Sequence, residues 1–244
     1  MILRRVIEHV KAQNWTAVAL DFVIVVLGVF IGLQVQEWSI DRAEKENISA
    51  QLSSFRDELI QRQSDIHDQK AYIEDRINDA TALRSGLMSE DRALSENDVS
   101  RLAMSVVRTN DLDVTFRGFG ELSASGSLSK IKSRTLLEKL YRWDAALTNL
   151  RSTEEDVATL RDISSMPAIL DALSLGNMAR TDSRFLDMPP ANRFTVDIEA
   201  LRNNRDFDNA LVSRTILERQ KLDALFRFEN ATDELIDAIK DRQQ

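Results

Sequence analysis

Seven Gly and three Pro in 244 residues make about 4 % of the chain, where average usage gives roughly 12 %. A predominantly β architecture needs a turn about every ten residues, built largely from Gly, Pro and Asn, so it is excluded and long helices remain. A balance of 32 Lys and Arg against 40 Asp and Glu, net −8, argues against nucleic acid as the main partner, because phosphate binding needs a basic surface. Without Cys there is no thiol catalysis, disulfide or Cys-based metal site; His9 and His67 are far apart in the sequence, and neither a His-rich site nor a Ser-His-Asp triad is expected, since His67 would have to act alone from the middle of a polar helix.

Residues 1–14 open with MILRRVIEHVKAQ, which places Ile2, Leu3, Val6, Ile7 and Val10 on one helical face and Arg4, Arg5 and Lys11 largely elsewhere. The pattern reads as an amphipathic segment on a membrane surface. From Ala17 to Val35 the only charge is Asp21, and a helix of that length reaches about 28 Å, close to a bilayer core of roughly 30 Å. Trp15 and Trp38 bracket it about 35 Å apart, one at each headgroup region, so residues 15–38 read as a transmembrane helix. The competing readings are a buried core helix and a cleaved signal peptide. The second needs small residues at a cleavage site, which LQVQEWSID lacks. Arg4, Arg5 and Lys11 precede the span, whereas four acids and two bases follow it between Glu37 and Glu46, which puts the amino terminus in the cytoplasm and residues 39–244 in a periplasm.

An ionisable residue inside a span is a functional-site hypothesis by default. On a helical wheel Gly28 and Gly32 each fall within about 20° of Asp21, at 100° per residue. The GxxxG spacing of the two glycines lets a second helix backbone approach, and would bring Asp21 against it. The alternative for Asp21 is a hydrated position at the cytoplasmic interface, near the positive end of the helix dipole.

From Trp38 to about Ser85 there is no breaker, and Ile48, Leu52, Phe55, Leu59, Ile66, Ile73, Ile77 and Ala80 follow a 3–4 repeat with Arg62 and Gln69 at two seam positions. Unbroken, this helix projects about 70 Å. Ser95 caps a helix carrying Val99, Leu102, Ala103, Val106 and Val107, and Gly126 is a left-handed helix stop. Leu136, Leu140, Trp143, Leu147, Leu150, Val157 and Leu160 mark a further long helix, which Pro167 ends or which it separates from PAILDALSL, closing at Gly176. Residues 176–195, with Pro189-Pro190, form a long loop, and a final helix runs from about Arg205 to Lys240. The fold class expected is all-α, one N-terminal transmembrane helix followed by an elongated antiparallel helical bundle.

No reaction is legible. Gly118-Phe-Gly120 lacks the third glycine and preceding strand of a dinucleotide fingerprint, no phosphate-binding loop occurs, and SASGS around Ser125 has no base partner. No catalytic, cofactor-binding or metal-ligating residue, and no small-molecule substrate, is therefore expected.

The span and its exit (Asp21, Gly28, Gly32, Leu33, Gln34, Trp38), a mid-chain segment (Glu121, Leu122, Ser125, Gly126, Leu128, Ile131, Lys132) and a late Asn-rich motif (Asn203, Asn204, Phe207) occur in one order along most of the chain. In this the chain resembles a large family of uncharacterised bacterial single-pass inner-membrane proteins with an exported helical domain. The resemblance implies an inner-membrane location and no enzyme site. The reading is a non-enzymatic, membrane-anchored scaffold or accessory subunit. Its partners are the lipid bilayer and another transmembrane helix, of its own kind or of a membrane complex, met through Asp21, Gly28 and Gly32. Arg4, Arg5, Lys11, Trp15 and Trp38 are the interface anchors. The rivals are a single-pass subunit of an ion-driven envelope machine that uses Asp21, and a one-span sensor acting through a signalling partner.

Overall fold

Helix dominates the fold, and no strand occurs among the described residues, which in this computed structural model are 15–89, 94–112, 115–185 and 194–243. In order they are α1 (Trp15–Met88), α2 (Glu96–Val107), α3 (Arg117–Ala124), α4 (Arg134–Leu160), α5 (Met166–Ala172), α6 (Leu175–Ala179), α7 (Ile198–Arg202) and α8 (Arg205–Gln243). Short 3-10 turns occupy Ser127–Lys130 and Ser183–Phe185, and a π-helical turn occupies Arg161–Ser165. The chain divides into two units, residues 1–51 and 52–244.

In the first unit the described chain is the N-terminal part of α1, and every residue from 22 to 43 is exposed. This is the one candidate span among the described residues, a helix long and apolar enough to cross a membrane.

In the second unit three helices share one device, a buried seam with alternating steps of three and four residues. On α1 it runs through Leu52, Phe55, Leu59, the half-buried Arg62, Ile66, Gln69, Ile73, Arg76, Ala80, Leu83 and Leu87; on α4 it runs from Leu136 to Val157; on α8 it runs from Phe207 to Ile239. Such a stripe keeps one face of each helix toward its neighbours. Lys139, Trp143 and Glu154 of α4 pair with Glu234, Thr232 and Lys221 of α8, so these two helices run in opposite directions. The part of α1 from Gln63 onward is antiparallel to α8 as well, through Gln63–Asp233, Lys70–Glu229, Arg76–Glu218 and Arg84–Asp208.

Helix ends are closed by side chains, as orphan N–H and C=O groups require. Ser95 and Asp98 form a reciprocal capping box on α2, and Ser133 accepts from the Leu136 amide at the start of α4. Asn204 accepts from the Phe207 amide at the start of α8. The end of α1 is closed from another element, because Arg202 donates to the carbonyls of Leu87 (2.9 Å) and Ser89 (3.2 Å). Gly126 has φ +71°, the left-handed stop its position suggests.

Pro167 lies at the start of α5, and α4 passes into α5 through the π turn with helical backbone throughout, instead of stopping at the proline. The helix of PAILDALSL ends sooner than Gly176. Leu173 turns to extended backbone, which lets both Leu173 and Met178 reach the core, and Gly176 then lies inside α6. The stretch 176–195, expected as loop, is therefore helical over its first residues, and Pro189-Pro190 lie outside the described residues.

Candidate functional site

Two places concentrate chemistry, one in each unit. In the first unit, Asp21, Gly28 and Gly32 all lie within the unbroken α1. A Cβ added at Gly28 or Gly32 would meet nothing within 4 Å, so the glycine face is open. Trp38 is 63 % exposed, with the Arg42 guanidinium 5.7 Å from its ring centroid and Glu46 accepting from Arg42 at 2.9 Å. Trp15 begins α1, while the side chains of Trp15 and Asp21, and Arg4, Arg5 and Lys11 altogether, lie outside the described residues.

In the second unit the seam is interrupted by a layer of buried charge. Arg76, Arg214, Glu218 and Lys221 are each at most 3 % exposed, and Glu154 is 7 % exposed. Arg76 donates to Glu218 Oε2 at 2.7 Å, while Arg214 Nη2 lies 2.5 Å from Glu218 Oε1. Lys221 reaches Asp111 Oδ1 at 2.7 Å and Glu154 Oε1 at 3.3 Å, and Arg108 pairs with the buried Asp182.

These side chains hold a piece of non-helical backbone. After α2 the segment 108–112 leaves helical geometry, and its carbonyls need donors. Arg214 donates to the carbonyls of Val106 (3.1 Å) and Arg108 (3.0 Å), Lys221 to that of Asn110 (2.6 Å), and the Leu112 amide donates to Glu154 (2.9 Å). Gln69 exchanges two hydrogen bonds with Asn110, donating to its carbonyl (2.5 Å) and accepting from its side-chain amide (2.9 Å). The layer is thus a clamp on 108–112 built from α1, α4 and α8. Burial pushes Arg214 down to about 10, against the opposing pull of Glu218.

On either side of the layer the packing is apolar. Toward one end Trp143 meets the rings of Phe55 (5.1 Å), Phe116 (4.9 Å), Phe119 (5.3 Å) and Phe228 (5.9 Å), and donates from its indole to Thr232 Oγ1 at 3.1 Å. Toward the other, Leu83, Leu87, Val99, Leu102, Leu201, Phe207 and Leu211 form a largely aliphatic cluster. Glu58 of α1 accepts from the amides of Arg117 and Gly118, both at 2.9 Å, and so caps α3.

The mid-chain and late motif residues serve packing and helix ends: Leu122 and Ile131 are buried, Gly126 makes the left-handed turn, Asn204 caps α8 and Phe207 is in the core. Ser125 bonds Ser127 and the Leu122 carbonyl, consistent with a turn. The charged layer escaped the sequence reading, although its signal was there. Arg214, Glu218 and Lys221 continue the three-and-four spacing between Leu211 and Leu225, as Arg76 does between Ile73 and Ala80. Comparison with known protein families, with curated proteins and with solved structures finds no match.

Proposed function

We propose that the protein is a single-pass, membrane-anchored helical scaffold or accessory subunit with no enzymatic activity. The observation that carries this reading is the run of exposed apolar side chains on α1, among them Phe22, Ile24, Val25, Leu27, Phe30, Ile31, Leu33 and Val35. Soluble monomers rarely expose a contiguous apolar surface beyond a few hundred Å². A lipid bilayer removes that surface from water, with residues 15–38 of α1 as the span, the basic segment 1–14 in the cytoplasm and residues 39–244 in the periplasm as an antiparallel bundle. The sequence resemblance to bacterial single-pass inner-membrane proteins supports the same placement.

Within the bilayer the open faces of Gly28 and Gly32 receive a second transmembrane helix, of another copy or of a membrane-complex subunit. Replacing both by Ile (Gly28→Ile, Gly32→Ile) keeps the span apolar and closes that face. An in-membrane association assay, or co-purification in mild detergent, should then lose the partner; unchanged association would refute the packing role. Asp21 supports a second reading, an ion-coupled subunit. Asp21→Asn separates the two: loss of assembly belongs to the scaffold, and loss of function with assembly intact belongs to ion coupling.

A further inference from the structure

We propose that the buried charges set the register of α8: Arg76 with Glu218, and Glu154 with Lys221, pin it against α1 and α4 and exclude a packing shifted by one heptad. The seams by themselves do not choose between the two packings. On α1, α4 and α8 they keep unbroken steps of three and four, so a shift of α8 by one heptad returns each seam position to a seam position. The chain permits the movement. Only Asn203 and Asn204 separate α7 from α8, but unwinding the five residues of α7 lengthens the connection by about 9 Å, against about 10.5 Å for a heptad of helix.

The charged layer supplies the difference that apolar residues lack. With α8 displaced by a heptad away from α7, Arg76 meets Leu211 in place of Glu218, and Lys221 leaves Glu154 to take the position of Phe228 against Trp143. Both cations then lie among apolar side chains without their acids, and a buried ion stripped of its partner is far costlier than the intact pair is favourable. Apolar residues in place of the layer would pack about as stably, so what the layer adds is the choice of register. Arg214 and Glu218 are both on α8, four residues apart, and move together; Arg214 otherwise bonds backbone carbonyls at the end of α2, not a side chain of α1 or α4. The outer ion pairs Arg84–Asp208 and Lys139–Glu234 are partly exposed and discriminate weakly.

Because the chain has no Cys, paired cysteines read the register directly. Lys139→Cys with Glu234→Cys joins positions whose native side chains meet at 3.1 Å across α4 and α8, whereas Lys139→Cys with Arg227→Cys joins positions that meet only after the heptad shift. Each pair is placed in the full chain in detergent micelles and treated with a short bis-thiol crosslinker. With the layer unaltered, only the first pair should link. With Arg76→Met, Glu154→Leu and Lys221→Met together, the second pair should link as well. Keeping Arg76 while retaining Glu154→Leu and Lys221→Met should remove that second product. The proposal is overturned if the second pair links in the unaltered layer, if the triple variant links only the first pair, or if the second pair links equally with and without Arg76. Loss of helical circular dichroism in the triple variant overturns it too, because a layer that serves register leaves the fold standing when its partners are removed together.

Discussion

Lys221 shows what a single buried charge does in this fold. It is 1 % exposed and satisfies a carbonyl and two carboxylates, one of them buried, so its removal leaves Glu154 without a cation in the core. Lys221→Met is expected to cost about 3–5 kcal/mol in chemical denaturation, and adding Glu154→Leu should recover much of that loss, because the acid left behind causes most of it. Gly118 is tight for a different reason. A Cβ there would sit 2.8 Å from the Cβ of Phe55 and 3.0 Å from its Cα, so Gly118→Ala presses α3 against the backbone of α1. Overpacking of that kind costs about 1–3 kcal/mol, and a denaturation midpoint unchanged by Gly118→Ala would contradict the close approach.

At the scale of elements, caps and seams carry the fold. Ser95 holds the Asp98 carboxyl below the usual carboxylate range through its hydroxyl and amide, and Lys139 does the same for Glu234, chiefly by a hydrogen bond. Both acids therefore favour the folded state when ionised. Their contribution is complete above the ordinary carboxylate range and is lost as pH falls through the depressed values. Ser95→Ala should lower Tm by about 3 °C at neutral pH, and the gap between variant and original should narrow as the solution is acidified, leaving the part due to the Asp98 amide bond, which does not titrate. A gap that widens in acid would reverse the sign assigned here. These caps explain why so much of the architecture was readable: Ser95, Gly126, and the apolar steps of α4 and α8 act locally, and local rules need only neighbouring residues. The charged layer was harder to see because it is a property of three helices at once. The seam spacing marks Arg76 as inward-facing, but not its partner, because Glu218 lies more than a hundred positions later. Glu58 capping α3 and Arg202 closing α1 are hidden in the same way, since the capped element and the capping residue are far apart in the chain. Leu173 ending α5 before Gly176 shows packing overruling a breaker.

For the whole molecule, the claim is that one apolar helix divides the chain between two compartments. The side chains of residues 22–43 on α1 are exposed, and the proposed orientation rests on the bases Arg4, Arg5 and Lys11 that precede the apolar run. Because the chain has no Cys, single cysteines report topology without background. In intact bacterial cells expressing Ser39→Cys or Gln13→Cys, a membrane-impermeant maleimide should label position 39 at once and position 13 only after lysis, with both variants retained in the membrane fraction after alkaline extraction. Labelling in the reverse order, or release of the protein by alkaline carbonate, would contradict the single-pass, exported arrangement.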